Sequence, residues 1–167
     1  MSNGVTFGSK TITQLSKDDQ SSISLVVSDV SAGDLDSWKN QVCQKYRGGN
    51  RLNSADAFFE SDEKWVIEFK NQILSNIKRD EILCKAFDSI SVLLFSKFSN
   101  ACKDEFLKRT SFVLVYDDSR PDSFCKIKTG FAKYARVDSY FHDKIKIIGY
   151  HSVEIIGASS FLSLISA

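Results

Sequence analysis

The chain has 167 residues, of which 43% are hydrophobic and 12% aromatic, so it is long enough for one sizeable core and too short for two ordinary domains. Its 22 lysines and arginines against 21 acids give a net charge of +1, which demands no polyanionic partner but leaves a locally basic face open. No stretch approaches the roughly 18 apolar residues of a membrane span, and no signal sequence is recognisable. We therefore expect no membrane partner.

The cysteines are far apart and show no C-x-x-C spacing. They are Cys43, Cys84, Cys102 and Cys125. Three of them sit in apolar or helical-looking runs, and we interpret all four as reduced thiols. This pattern predicts an intracellular, cytoplasmic protein, and it leaves delivery by a detached carrier domain open.

Residues 1–33 are rich in Ser, Thr, Gly and Asp and are predicted to form an N-terminal arm or a peripheral strand, with Ile23–Val27 as the strand candidate. A single domain is predicted for 34–167. It opens with a helix that Asp34 can cap and that Gly48-Gly49 ends. The apolar positions of this helix recur at helical spacing: Leu35, Trp38, Val42 and Tyr46.

Two strand-like runs follow within 55–72, and 73–98 is predicted to be a long helix because its apolar residues fall at three- and four-residue intervals. The apolar run Ser111–Tyr116 is predicted to be a buried strand, closed by a turn at Asp117–Pro121. The tail is predicted to hold a helix at 124–137 and strands at 145–148 and 153–156, with 161–167 unassigned.

The predicted elements from residue 34 onward therefore run helix, strand, strand, long helix, strand. A strand pair followed by a helix and a further strand is typical of a mixed central sheet with flanking helices. The expected fold class is α/β (α+β).

A group of polar residues lies on the strand pair. In a strand over 65–72 the period of two places Glu68 and Lys70 on one face and Phe69 on the other. Cross-strand partners in a hairpin have position numbers of constant sum, so Asp56 shares the face of Glu68 only if that sum is even. The turn must then contain an odd number of residues or a bulge, since a two-residue turn at Asp62-Glu63 would face Asp56 the other way.

The order of elements and the pattern Asp56, eleven residues, Glu68-Phe69-Lys70 resemble the PD-(D/E)xK nuclease superfamily, whose fold is restriction-endonuclease-like. The resemblance covers about residues 34–116, and Ala55 stands where the literal motif has proline. It implies that Asp56, Glu68 and the backbone carbonyl of Phe69 bind Mg²⁺ or Mn²⁺. It also implies that Lys70 positions or activates the attacking water, with Gln72 in a supporting role.

The residue types suit this chemistry, because a Mg²⁺ ion held by two carboxylates can stabilise phosphoryl charge and lower the pKa of a bound water. The resemblance predicts a metal-dependent nuclease that acts on nucleic acid, DNA being favoured over RNA. Its alternative is a catalytically inactive nuclease-like domain that binds nucleic acid or protein. A homodimer or a protein partner is also left open.

Other interpretations of these residues stay open. An acid-x-Lys triplet alone is weak evidence, and Asp62-Glu63-Lys64 is a second instance, so Glu68 and Lys70 could instead form an ion pair on an exposed sheet face. A weaker prediction assigns nucleic-acid binding to basic residues outside the motif: Arg47, Arg51 and Lys78. Lys85 and its basic neighbours could form a phosphate-binding rim, but such charges more often belong to a solvated helix face, and we interpret them in that way.

Overall fold

The computed structural model describes residues 8–18, 21–45, 52–96, 103–119 and 143–165. Their centre is a six-stranded mixed sheet whose strands follow each other in sequence order. The first four strands pair antiparallel, and the last three pair parallel. The strands are β1 (Ser9–Thr11), β2 (Ser31–Asp34), β3 (Ala57–Glu60), β4 (Lys64–Lys70), β5 (Thr110–Tyr116) and β6 (Val153–Gly157).

Helices cover both faces of this sheet. They are α1 (Ile12–Leu15), α2 (Leu35–Lys45), α3 (Arg79–Phe95), α4 (Lys103–Leu107), α5 (143–148) and α6 (Ala158–Ile165), with a 3₁₀ turn at Leu74–Asn76. The expected α/β class, with a mixed sheet flanked by helices, is confirmed. No helix within the described residues is long and apolar enough to cross a membrane.

Alternation along the central strands builds two apolar layers, because successive side chains of a strand point to opposite faces. Val66 and Phe112 pack with α2, α3 and α4 in one layer. Ile67 and Phe69 pack with α1 and α6 in the other, where Phe161 of α6 is fully buried. Strands buried on both faces explain the nearly continuous apolar runs in the sequence of β4 and β5.

The first predicted helix is confirmed as α2. The backbone N–H of Ser37 donates a hydrogen bond of 3.1 Å to Oδ1 of Asp34, which is the predicted cap. Leu35, Trp38 and Val42 are buried against the sheet, as their spacing predicts. Tyr46 and the glycine pair predicted to end the helix lie outside the described residues.

The long helix begins later than its apolar spacing predicts. It starts at Arg79 rather than at Ile73, because the chain first turns off the sheet through the 3₁₀ segment at Leu74–Asn76. Leu74 and Ile77 are buried all the same. A three-residue spacing of apolar residues fits a 3₁₀ turn as well as an α-helix, so the pattern could not separate the two.

Two predicted strands are wrong. Residues 145–148 belong to α5, in which Ile145 is buried while Ile147 is exposed, a helical distribution that a four-residue run cannot reveal. Ile23–Val27 forms no strand, and only Val26 of its large residues is buried. The predicted strand at 153–156 is confirmed as β6, and the predicted helix at 124–137 lies outside the described residues.

Candidate functional site

The β3–β4 hairpin satisfies the register condition. Ala57 pairs with Ile67 and Glu60 pairs with Lys64, so three residues, Ser61 to Glu63, form the turn and the position sum is even. A turn with an odd number of residues places Asp56, which directly precedes β3, on the same side of the sheet as Glu68. The condition that the sequence left open is therefore met.

The carboxylate of Asp56 is tied to the end of β4. Its Oδ2 accepts a hydrogen bond of 2.7 Å from the backbone N–H of Phe69, while the Asp56 N–H donates to the carbonyl of Ile67 at 3.1 Å. Because N–H and C=O of one strand residue point to the same side, the Phe69 carbonyl faces the same edge of β4. Two of the groups that the resemblance assigns to a metal, the Asp56 carboxylate and the Phe69 carbonyl, therefore lie at one edge of β4, and the third, Glu68, projects from the face of the sheet.

Glu68 is the most deeply buried member of the group, with 0% of its side chain exposed. Its Oε1 lies 2.8 Å from Nζ of Lys85 and 3.1 Å from Nζ of Lys70, and its Oε2 accepts a hydrogen bond of 3.0 Å from Lys85. Despite these two ion pairs, Oε1 lacks a hydrogen bond of good geometry. The burial rules out the alternative in which Glu68 and Lys70 pair on an exposed face.

Lys70 is held by an acid on each side. Its Nζ lies between Glu68 of the same strand and Glu81 of α3, whose Oε1 it reaches at 2.5 Å. An ammonium shared by two carboxylates has little freedom to turn away from the site.

The sequence analysis placed Lys85 on a solvated helix face and missed its contact with the two carboxylates. It projects from α3 over the end of β4, where its Nζ contacts Glu68 and lies 3.6 Å from Oδ1 of Asp56. Ile82 and Ser89, three positions before and four after it, are both buried. Because residues three and four positions apart are neighbours on a helix, Lys85 lies beside the buried stripe of α3 rather than on a solvated face.

Polar contacts from α2 and α3 fix the chain just before Asp56. The N–H of Ala55 donates to Oγ of Ser89 at 2.8 Å, and the N–H of Asn53 donates to Oδ2 of Asp88 at 2.7 Å. The hydroxyl of Ser54 donates to Oδ1 of Asp36 at 2.8 Å. The helix that carries Lys85 therefore also positions Asp56.

The carboxylates and lysines of the site line a pocket of about 490 Å³ at the end of β4. It contains the predicted residues Asp56, Glu68, Phe69, Lys70 and Gln72, together with Glu81, Lys85 and a wall formed by residues 15–18. Of the residues predicted to bind nucleic acid, Lys78 is exposed at the start of α3 but does not line this pocket. Arg47 and Arg51 lie outside the described residues.

Burial sets the protonation of the acids. Desolvation, aided by the nearby charge of Asp56, raises the pKa of Glu68 from 4.5 to about 8, although both lysines oppose the shift. Desolvation also raises the pKa of Asp56. For Lys85 burial acts to lower the pKa, but Asp56 and Glu68 outweigh it and hold the pKa above its usual value. The lysine stays charged while Glu68 titrates near neutrality.

This shift gives the free energy of unfolding a pH dependence of known sign. Between pH 4.5 and about 8 the folded protein keeps a proton on Glu68 that the unfolded chain has released, so stability falls as the pH rises. Relative to Glu68→Gln, we expect the wild type to lose up to ~1.4 kcal/mol per pH unit in this window and to level off above it. Urea denaturation of both proteins from pH 5 to pH 9 measures the difference, and a constant difference would contradict the raised pKa.

The donor set fits a hard divalent cation. Two carboxylates and a main-chain carbonyl offer only oxygen ligands, and Mg²⁺ commonly binds one or two protein carboxylates while keeping waters or substrate oxygens. No group of three or more His, Cys, Asp or Glu side chains suited to a metal occurs within the described ranges. A metal held by Asp56 and Glu68 would therefore depend on solvent and substrate for its remaining ligands.

Comparison of the chain with protein-family models, with curated proteins and with solved structures found no match.

Proposed function

We propose that the protein is a Mg²⁺- or Mn²⁺-dependent nuclease with a restriction-endonuclease-like fold, acting on DNA in preference to RNA. One observation carries the proposal: the three residues of the motif, Asp56, Glu68 and Lys70, lie together in one pocket at the end of β4. A hairpin of the opposite register would have separated Asp56 from the other two. We further propose a cytoplasmic location and nucleic acid as the partner.

The roles follow from the positions of the groups. Asp56, Glu68 and the Phe69 carbonyl would hold the cation, which when bound supplies Lewis acidity to a phosphoryl oxygen and lowers the pKa of water. Lys70 adds positive charge where the phosphoryl oxygens gain negative charge, and its contact with Glu68 at 3.1 Å keeps it close to the metal ligands. Gln72 lines the open side of the pocket and can donate a hydrogen bond to substrate.

Metal removal tests this proposal directly. We expect the purified protein to cleave DNA in the presence of Mg²⁺ or Mn²⁺, to lose cleavage in EDTA, and to recover it when excess cation is added back. The assay should use linear and supercoiled DNA, with RNA of matched sequence to test the substrate preference. Cleavage that survives EDTA, or none with any of these substrates and either cation, would refute the nuclease.

The second candidate is a catalytically inactive domain of the same fold that binds nucleic acid or protein. Lys85 favours it, because an ammonium that already contacts both carboxylates compensates part of their charge without a metal. An inactive domain would retain nucleic acid in a binding assay with no dependence on divalent cations, whereas the nuclease requires saturable Mn²⁺ binding.

A further inference from the structure

We propose that Lys85 is a built-in cation that occupies the carboxylate pair, so that metal loading requires its ammonium to move onto a phosphate of the substrate. The inference rests on the proposed function and concerns the regulation of the same site. It predicts that divalent cation and nucleic acid bind cooperatively, and that this cooperativity depends on one side chain.

The ammonium of Lys85 contacts the carboxylate oxygens that are proposed to bind the metal. Its Nζ is 2.8 Å and 3.0 Å from the two oxygens of Glu68 and 3.6 Å from Oδ1 of Asp56. Among the ion pairs of the described residues, those of Lys85 alone join Asp56 to Glu68. A metal ligated by both acids must therefore compete with this ammonium for the same oxygens.

Electrostatic repulsion disfavours the simultaneous presence of the Lys85 ammonium and a metal ion at the carboxylate pair. With the ammonium groups of Lys85 and Lys70 both in contact with Glu68, a divalent cation added at the same carboxylate would lie close to two positive charges. Glu68 is fully buried, so water screens this repulsion poorly. Lys85 must withdraw before the metal binds, and its withdrawal leaves the buried carboxylate to the metal.

The pocket gives the displaced ammonium a place to go. Lys85 keeps 19% of its side chain exposed and lines the same opening as Lys70 and Gln72. A phosphodiester bound in this opening would offer the ammonium of Lys85 an anionic partner other than the two proposed metal ligands. Substrate that attracts Lys85 would thus free Asp56 and Glu68, and a bound metal would in turn free Lys85 for substrate, because binding linkage is reciprocal.

The test is a Mn²⁺ titration followed by electron paramagnetic resonance of the free ion, with and without a hydrolysis-resistant phosphorothioate DNA duplex. Three proteins are compared: the wild type, Lys85→Met, and Lys108→Met as a control that removes an exposed lysine outside the pocket. Without DNA we expect Lys85→Met to bind Mn²⁺ at least ~10-fold more tightly than the wild type. DNA should raise the affinity of the wild type and of the control ~10-fold, but that of Lys85→Met less than ~2-fold.

Equal or weaker Mn²⁺ binding by Lys85→Met, or DNA coupling that persists in it, would overturn the inference. Lys85→Gln replaces the methionine variant if circular dichroism shows that the latter does not fold. The outcome separates the two proposals. If the wild type cleaves DNA but Lys85→Met gains no affinity for Mn²⁺, only the role of Lys85 is refuted. If Lys85→Met gains affinity for Mn²⁺ but the wild type does not cleave DNA, only the nuclease is refuted. If no variant binds Mn²⁺, both proposals are refuted.

Discussion

Asp56→Asn is expected to lower metal-dependent DNA cleavage at least ~100-fold while the protein stays folded. The amide oxygen of asparagine can still accept the hydrogen bond that the Phe69 N–H donates to Oδ2 of Asp56, so the end of β4 should keep its geometry. What the substitution removes is one of the two carboxylates that are proposed to bind the cation. Initial cleavage rates at saturating Mn²⁺, with circular dichroism as the check on folding, give the comparison.

The chain supplies a matched control for this substitution. Asp62 begins a second acid-x-Lys triplet, but it lies in the exposed turn between β3 and β4 and does not line the pocket. Asp62→Asn should cleave at a rate within ~2-fold of the wild type, because it alters charge by the same amount far from the site. If Asp56→Asn and Asp62→Asn retain equal activity, the carboxylate pair has no part in the reaction.

The main elements of the fold were predictable because local chemistry and burial agree along most of the described chain. Asp34 caps α2, alternation in β4 separates Val66 from Ile67, and the apolar run of β5 is buried on both faces. The errors fall on short runs such as 145–148, where a few isoleucines fit a strand or a helix equally well. There the tertiary environment decides, with Ile145 packed under the sheet and Ile147 in solvent.

The candidate site was also predictable in part. Glu68, Phe69 and Lys70 are neighbours in sequence, so the period of a strand was enough to relate them, and one parity rule extended the relation to Asp56. Lys85 reaches Glu68 from 17 positions away on another element. Its contact depends on how α3 docks on the sheet, which no local pattern specifies, and a charged residue on an amphipathic helix is usually solvated.

Phe161 of α6 packs behind the site, on the opposite face of the sheet. This side chain is fully buried, and its ring meets that of Phe69 edge to face at a centroid distance of 5.6 Å. Phe69 is also the residue whose backbone N–H holds Asp56. The packing of α6 thus supports, from behind, the strand end that carries the proposed metal ligands.

Phe161→Ala should therefore lower the free energy of unfolding by ~3–5 kcal/mol, because it removes a buried aromatic ring and leaves a cavity beneath β4. Leu164→Ala is the matched control, since Leu164 lies on the same helix but is partly exposed to solvent, and it should cost under ~1 kcal/mol. Urea denaturation of the three proteins compares these values at one pH. Equal losses for the two variants would mean that α6 does not dock through Phe161, and the aromatic contact behind Phe69 would then have no role in stabilising the site.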